Sequence, residues 1–281
     1  HPDISASGRF VIFQTAAPLV PEDLNGFLDV YLVDRDHDAD GIFDEPDDHR
    51  TRLISLAADG SLANFGVSDD EIAISATGRF ITFTSEATNL VANDTNGKRD
   101  IFIHDRDLDG DGLFDEPGTV TTVRVSVAND GTAANDHSSY ADLSDDGRYI
   151  VFQSGAGNLV PNEPSCQPLH CEDIFLHDRD SDEDGIFDEP GQILTTKVSV
   201  ASDGTPGNGN SVTPAINGAG TMLTFASLAD NLVPDDPTFS DVFIHEPATG
   251  STRRLSVTSA GGQADFHSVQ PVIDADGNSV A

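Results

Sequence analysis

The sequence has no tryptophan, one methionine and only two lysines, Lys98 and Lys197. Its 14 basic residues stand against 49 acidic residues, which gives a formal net charge of −35. Because the chain has no basic stripe and no tryptophan on which bases could stack, we expect no binding to nucleic acid or to anionic membranes. It also lacks any run of 18 apolar residues, so we expect no membrane insertion. The 37% of hydrophobic residues is nevertheless sufficient for a folded core.

Cysteine is also scarce, since Cys166 and Cys171 are the only two. Their spacing, with His170 between them, is one way to begin a zinc site, but no second Cys or His pair follows at zinc-finger spacing. We therefore predict a small disulfide loop between Cys166 and Cys171, and with it an oxidising compartment, either extracellular or periplasmic. The lack of an initiator methionine and of a signal peptide implies a removed leader or a longer parent chain.

What the sequence does contain is a repeat of about 70 residues. Its most regular part has a Gly-Arg turn followed by an apolar run. Three further markers, which are Asn-Leu-Val, Asp-Ile-Phe and Val-Ser-Val or close variants, keep the same phase. Four markers do not stay in register through four units by chance. The copies are ISASGRFVIF at 4–13, ISATGRFITF at 74–83, LSDDGRYIVF at 143–152, INGAGTMLTF at 216–225 and the shorter IDADGNSVA at 273–281.

Each marker is a short run of β-branched and aromatic residues bounded by Gly, Asp, Asn or Pro, which is typical of a strand between turns. No stretch shows sustained helical periodicity. Counting the segment before each Gly-Arg turn, every unit supplies four strands, and repeated four-stranded antiparallel units form propeller blades. A β-solenoid fits less well, because it needs shorter and more uniform coils. We predict an all-β fold, a single β-propeller domain over 1–281, with four blades at about 1–69, 70–139, 140–212 and 213–269 and the start of a fifth at 270–281.

These motifs resemble the TolB-type propeller repeats, WD-like in shape, that are common in exported bacterial proteins. The resemblance covers nearly the whole chain through the Gly-Arg turn, the Asn-Leu-Val segment and the Asp-Ile-Phe strand. It implies blades arranged radially around a channel, with loops on two faces. It is specific for fold and says little about function, since such repeats occur in scaffolding, binding and enzyme-appended modules.

Four complete units and part of a fifth do not make the six to eight blades that the resemblance implies. We expect the remaining blades to come from flanking sequence or from another copy of the chain. Exposed strand edges at both ends invite pairing with a neighbour, which would give a homo-oligomer or a head-to-tail filament.

The first three units carry the same acidic insertion, and the fourth replaces it with Glu246-Pro-Ala-Thr-Gly250. Aspartate at positions 1, 3 and 5 followed by glycine is how a short loop wraps oxygen ligands around Ca²⁺, with a backbone carbonyl at position 7 and another acid at position 9. We predict calcium as the cofactor and partner ion. The predicted ligands are Asp36, Asp38, Asp40, Ile42, Asp44 and Glu45, then Asp107, Asp109, Asp111, Leu113, Asp115 and Glu116, then Asp180, Asp182, Asp184, Ile186, Asp188 and Glu189.

These loops depart from the EF-hand pattern, because the bidentate glutamate at position 12 is replaced by Asp47, Gly118 and Gly191. We expect the glutamate at position 10 to compensate, as in the acidic calcium repeats of thrombospondin-like proteins, which the loops resemble. Magnesium is less suitable because it gives up its water reluctantly. The alternative interpretation is an acidic hairpin tip in solvent, but three clustered carboxylates without a counter-ion repel one another.

A second candidate metal turn precedes the Asp-Ile-Phe strand in the first two units. Its pattern of two aspartates, one asparagine and a glycine supplies oxygen ligands, although the same residues also make ordinary turns. The third unit has the cysteine segment here instead. The candidate ligands are Asp23, Asn25 and Asp29 in the first unit, and Asp94, Asn96 and Asp100 in the second.

No nucleophile elbow, phosphate loop or metalloprotease motif is present in the sequence. The pairs His104-Asp105 and His177-Asp178 look like acid–base pairs, but they recur at one strand position, which favours a structural role. We therefore predict no enzyme activity and a calcium-stabilised structural or interaction module. The alternatives are a propeller domain that binds a protein or polysaccharide within a larger secreted protein, and a propeller attached to a catalytic domain outside this stretch.

Overall fold

A computed structural model describes residues 2–70, 72–161, 172–234, 236, 239–262 and 264–281. Over these residues the chain forms sixteen strands in four four-stranded antiparallel sheets, which confirms the predicted all-β fold of four-stranded blades. None of the described residues belongs to a helix long and apolar enough to cross a bilayer. The strands are β1 Asp3–Ile4, β2 Phe10–Thr15, β3 Asp29–Asp34, β4 Arg50–Leu53, β5 Ala73–Ile74, β6 Phe80–Ser85, β7 Asp100–Asp105, β8 Thr121–Arg124, β9 Ser138–Leu143, β10 Tyr149–Ser154, β11 Asp173–Asp178, β12 Leu194–Lys197, β13 Ser211–Ile216, β14 Leu223–Ser227, β15 Asp241–Glu246 and β16 Ser251–Arg254.

Each sheet is a meander in chain order, and we name the sheets blades 1 to 4. The register is the same in every blade where the third and fourth strands meet. Tyr31 pairs with Leu53 in blade 1, and Phe102 pairs with Arg124 in blade 2. Equivalent positions can therefore be compared residue by residue between blades.

The turn that joins the first two strands is Gly-Arg in blades 1 to 3 and Gly220-Thr221 in blade 4, and it satisfies its own backbone. In blade 1 the Ser5 hydroxyl accepts the Phe10 N–H at 3.1 Å, and Gly8 has a left-handed φ of 76°. Gly78, the equivalent residue of blade 2, is required for a second reason. A Cβ added there would lie 2.2 Å from the Phe10 ring, so any side chain would clash.

The chain divides into two compact units, His1–Val125 and Ser126–Ala281. Blades 1 and 2 form the first unit, whose core includes Ile12, Leu32 and Phe83. Blades 3 and 4 belong to the second unit, whose core includes Val151 and Phe225. The middle strands carry near-continuous apolar runs because both of their faces are buried, and all six residues of β6 and of β7 are buried.

The last residues of the second unit form a small hairpin. Val272 and Ala281 exchange backbone hydrogen bonds of 3.1 and 3.0 Å, and Ile273 bridges Val280. The Gly218 N–H also donates to the Ala275 carbonyl at 3.0 Å. A single antiparallel bridge flanks its turn, at the place in the repeat where the first two strands of a blade would pair; the fifth blade that it would begin stays a prediction.

Candidate metal centres

The three insertions, which we name the acidic loops, span residues 36–44, 107–115 and 180–188 and connect the third strand of a blade to the fourth. The first aspartate of each loop is buried and organises the backbone. In the second loop the Asp107 carboxylate accepts the N–H of Asp111 at 3.1 Å and that of Gly112 at 3.0 Å. Asp111 in turn accepts the Leu113 N–H at 2.8 Å. The loop thus winds around its own carboxylates.

The aspartates at positions 1, 3 and 5 converge in all three acidic loops. In each loop, one carboxylate oxygen from each of the three side chains lies within 4.8 Å of the others. This is the clustering that the spacing predicted, and such a group has the oxygen donors that a hard divalent cation requires. The three groups are Asp36, Asp38 and Asp40, then Asp107, Asp109 and Asp111, then Asp180, Asp182 and Asp184.

The first acidic loop has an additional acidic group, formed by Asp38, Glu45 and Asp48. Burial, together with the neighbouring Asp40 and Asp38, raises the pKa of Glu45 above its usual range. Asp48 was absent from the predicted ligands. It follows Asp47, which stands at position 12 of the EF-hand pattern. The two adjacent acids after Pro46 are the sequence signal that could have indicated it. Within the described residues, Glu116 and Glu189 belong to no such group.

The aspartates at position 9 bind arginine side chains. Arg106 donates to both oxygens of Asp115, at 3.0 and 2.6 Å, and its third nitrogen donates to the Gly78 carbonyl at 2.7 Å. Arg35 with Asp44 and Arg179 with Asp188 repeat the arrangement. Through the arginine, these carboxylates connect the loop to the Gly-Arg turn of the same blade. A role for them, and for the carbonyls of Ile42, Leu113 and Ile186, as ligands stays a prediction.

His104 and His177 are fully buried, and burial lowers the pKa of each to about 4. The Nδ1 atom of His104 lies 3.0 Å from the Thr122 hydroxyl, which itself donates to the Leu56 carbonyl at 2.8 Å. Since the threonine proton is already used, Nδ1 donates in this contact, and with a pKa of about 4 the ring is neutral at pH 7. A buried neutral histidine that holds a threonine in place fits the structural role predicted for it.

The second candidate turn contains two buried aspartates in blades 1 and 2, and we name this position the aspartate-pair site. In blade 2 a guanidinium occupies it: the Arg124 Nη1 atom lies 3.0 Å from Asp94 and 3.3 Å from Asp100. Asn96 also donates to Asp100 at 2.7 Å. In blade 1 the site consists of Asp23, Asn25 and Asp29.

The predicted disulfide between Cys166 and Cys171 lies outside the described residues.

Comparison with known proteins gave matches only among solved structures. No protein-family model and no curated protein matched the chain. TolB from Acinetobacter baumannii matches with a TM-score of 0.49 and 14% identity over 99% of this chain, and the chain spans 47%, about half, of that TolB. A putative TolB from Agrobacterium tumefaciens matches with a TM-score of 0.48 and 15% identity over 99% of this chain and 70% of its own.

Other matches include propellers attached to enzymes. The β-propeller domain of the Trilobed protease from Pyrococcus furiosus matches with a TM-score of 0.42 and 12% identity over 91% of this chain and 55% of its own. The assignment of fold rests on the four sheets described above. The solved structures that the chain resembles are TolB and related β-propeller proteins, the group that its sequence motifs resemble.

Proposed function

We propose that this chain is a non-enzymatic, calcium-stabilised β-propeller that acts as a structural or interaction module outside the cytoplasm. The observation that carries the proposal is the recurrence of one three-carboxylate group in three blades. Each group begins with a buried aspartate whose two oxygens already hold the loop backbone in place.

Electrostatics favour a bound cation in each acidic loop. Three carboxylates within 4.8 Å of one another repel, and desolvation, followed by the neighbouring acids, raises the pKa of Glu45 in the first loop and of Asp182 in the third. One divalent ion removes this repulsion and satisfies the oxygens together. Calcium suits the group better than magnesium because it accepts flexible, carboxylate-rich coordination.

The proposed compartment follows from the chemistry of such sites. Two of the three aspartates in each acidic loop are exposed, and exposed loop sites of extracellular modules bind calcium with dissociation constants of about 10⁻⁴ to 10⁻³ M. That affinity is useful only where calcium is abundant, as it is outside the cell. The ion would then fasten the outer end of a loop whose base the arginine pair already holds.

The proposal is tested by calcium titration with calorimetry, together with thermal unfolding in calcium, magnesium and EGTA. A ligand that binds only the folded state stabilises it by mass action, so we expect the Tm to rise with calcium concentration. We expect magnesium to raise it less. An identical Tm in all three solutions, with no heat of binding, would refute the role of calcium.

We further propose that the module assembles with other copies of itself. The apolar side chains of Phe266, Val269 and Val272 are 70%, 58% and 59% exposed, and they lie in the segment that leads into the terminal hairpin. Such a run favours a contact with another polypeptide. Light scattering across a concentration series is the test, and monomers at every concentration would count against assembly.

A further inference from the structure

Three of the four blades hold a positively charged side chain at one and the same position. The first residue of the third strand is a buried aspartate in each blade, and the last residue of the fourth strand supplies the cation. The distances are 3.3 Å from Arg124 to Asp100, 2.8 Å from Lys197 to Asp173 and 3.7 Å from Arg254 to Asp241.

In blades 2 and 4 the same nitrogen also contacts a second aspartate from the preceding turn. The Nη1 atom of Arg124 lies 3.0 Å from Asp94, and that of Arg254 lies 2.8 Å from Asp236. One positive centre therefore stands between two buried carboxylates. The positive charge offsets the repulsion between the two buried carboxylates and the cost of removing them from water.

Blade 1 retains the two aspartates but has lost the cation. The last residue of its fourth strand is Leu53, which is buried and pairs with Tyr31 as Arg124 pairs with Phe102. Asp23 is 5% exposed and Asp29 is 0% exposed. The Ser55 hydroxyl donates to Asp29 Oδ1 at 2.6 Å, as Ser199 does to Asp173 at 2.8 Å.

The second oxygen of Asp29 is left without a partner. Among the described residues, none makes a hydrogen bond to Asp29 Oδ2, the oxygen whose counterpart in blade 2 faces Arg124. A buried carboxylate with one oxygen unpaired is costly to keep ionised, and a positive charge beside that oxygen would offset the cost.

The remaining change in blade 1 adds oxygen to the site. Tyr31 stands where the other blades have phenylalanine, and its hydroxyl donates a hydrogen bond to Asp23. Blade 1 thus combines two carboxylates, an asparagine side chain and a phenol, and it has an apolar residue where a cation stands in the other blades.

We propose that a metal ion, with calcium as the expected ion, occupies the aspartate-pair site of blade 1 in the place that the Arg124 guanidinium takes in blade 2. Asp29 and Asp23 supply carboxylate oxygens, and Asn25 supplies the second lone pair of its amide oxygen, which already accepts the Phe27 N–H at 2.8 Å. The site uses none of the residues of the acidic loops. Calcium binding at this site can therefore be tested separately from calcium binding in the acidic loops.

The reciprocal pair of variants Leu53→Arg and Arg124→Leu tests the assignment. Leu53→Arg supplies the missing cation and is expected to bind one calcium ion fewer per chain than the wild type. Arg124→Leu removes the resident cation of blade 2 and is expected to bind one more. Bound ions are counted by native mass spectrometry and by equilibrium dialysis in ⁴⁵Ca²⁺, with circular dichroism to verify the fold.

A third variant separates this site from the acidic loops. Asp38→Asn, Asp109→Asn and Asp182→Asn together weaken all three loops while leaving blade 1 unchanged at Asp23 and Asp29. One tightly bound ion is expected to remain, and adding Leu53→Arg is expected to remove it. If the acidic loops bind nothing even in the wild type but one ion still disappears with Leu53→Arg, the proposed function fails and this inference stands.

Terbium luminescence keeps the proposal testable if Leu53→Arg does not fold. The chain has no tryptophan, so bound Tb³⁺ is sensitised by tyrosine, and Tyr31 is the tyrosine at this site. In the background with the three loop substitutions, Tyr31→Phe is expected to abolish most of the sensitised emission, while Tyr149→Phe is expected to retain it. An unchanged ion count in folded Leu53→Arg, or emission unaffected by Tyr31→Phe, would overturn the proposal and indicate that Asp29 is instead neutralised by a proton.

Discussion

Blades 1 to 3 and blade 4 differ most where the third strand passes to the fourth. Blade 4 makes the connection with the short turn at Glu246–Gly250, where Gly250 N–H donates to the Glu246 carbonyl at 2.9 Å. The other three use an acidic loop. Yet the third and fourth strands pair through four residues in every blade. Strand pairing thus does not require the acidic loop, which is consistent with the separate, ion-binding role that we propose for its aspartates.

The same comparison distinguishes the ion pairs at the base of each acidic loop from the aspartate clusters in its outer part. In blades 1 to 3 the second residue of the turn between the first two strands is arginine. In blade 2 this residue, Arg79, donates to Asp105 at 2.7 and 2.8 Å. Blade 4 has Thr221 at this position and Glu246 in place of the aspartate. The turn arginine is therefore present in the three blades that have an acidic loop and absent from blade 4. This distribution indicates that the arginine holds the base of the loop, while the clustered aspartates lie farther out.

The largest effect of a single substitution is expected at Arg106, whose place after the third strand is taken by Pro247 in blade 4. Its side chain is buried, pairs with Asp115 and lies over the rings of Phe10 and Phe114 at 4.6 and 4.8 Å. Arg106→Met leaves Asp115 paired with Arg52, which lies 2.9 Å away, and leaves the Gly78 carbonyl without its donor, so we expect unfolding to become easier by about 3 kcal/mol. Urea denaturation measures it.

The matched control is Arg35→Met, because the Arg35 side chain is 28% exposed and that of its partner Asp44 is 60% exposed. Exposed pairs contribute about 0–1 kcal/mol, so this variant should differ little from the wild type. Equal losses in the two variants would show that burial does not distinguish the acidic loops of blades 1 and 2.

A pH effect is expected to be shared by both kinds of blade, since His245 of blade 4 repeats the buried contact to threonine. The folded-state pKa of His104 and of His177 is lowered to about 4 from an ordinary 6.5, so the stabilisation is complete above pH 6.5 and is lost as the pH falls towards 4. The loss approaches about 3 kcal/mol for each histidine. Urea denaturation between pH 7 and 4 measures it.

Valine is the matched replacement, because blade 1 has Val33 at this position. The double variant His104→Val, His177→Val should lose less stability between pH 6.5 and 4 than the wild type. A pH profile that is unchanged in the variant would mean that carboxylates, rather than these histidines, control stability in this range.

The repeat allowed the sheets to be predicted because strand propensity and turn chemistry agree in every unit. Ser5, Gly8 and Phe10 are close in sequence, and their contacts are local. The convergence of Asp36, Asp38 and Asp40 was predictable for the same reason.

Contacts between distant residues were not predictable in this way. Arg124 follows Asp94 by 30 residues, and only the pairing of β7 with β8 brings the guanidinium to the aspartate pair. A local pattern alone gave the same interpretation for Asp23 and for Asp94. The two sites differ in the residue that the neighbouring strand supplies, which is Leu53 in blade 1 and Arg124 in blade 2.

A moderate effect is expected for single aspartates of an acidic loop. Asp109→Asn removes one of three clustered charges, and we expect calcium to bind that loop about tenfold more weakly, because affinity depends on the number of charged ligands. Calorimetric titration measures it. Asp265→Asn, an exposed aspartate outside the acidic loops, is the control and should bind as the wild type does.

The smallest effect on stability is expected when blade 1 is given the connection of blade 4. Replacing residues 35–49 by the Pro247–Gly250 turn keeps Asp34, the partner of Arg9, and removes the first acidic loop with its exposed Arg35–Asp44 pair. Because that pair is exposed and the flanking register is common to both blades, the free energy of unfolding in EGTA should change little. In calcium, however, the chain should bind one ion fewer and gain less in Tm than the wild type. If the exchanged chain keeps the wild-type ion count, the first acidic loop holds no calcium, and the difference between the blades must have another cause.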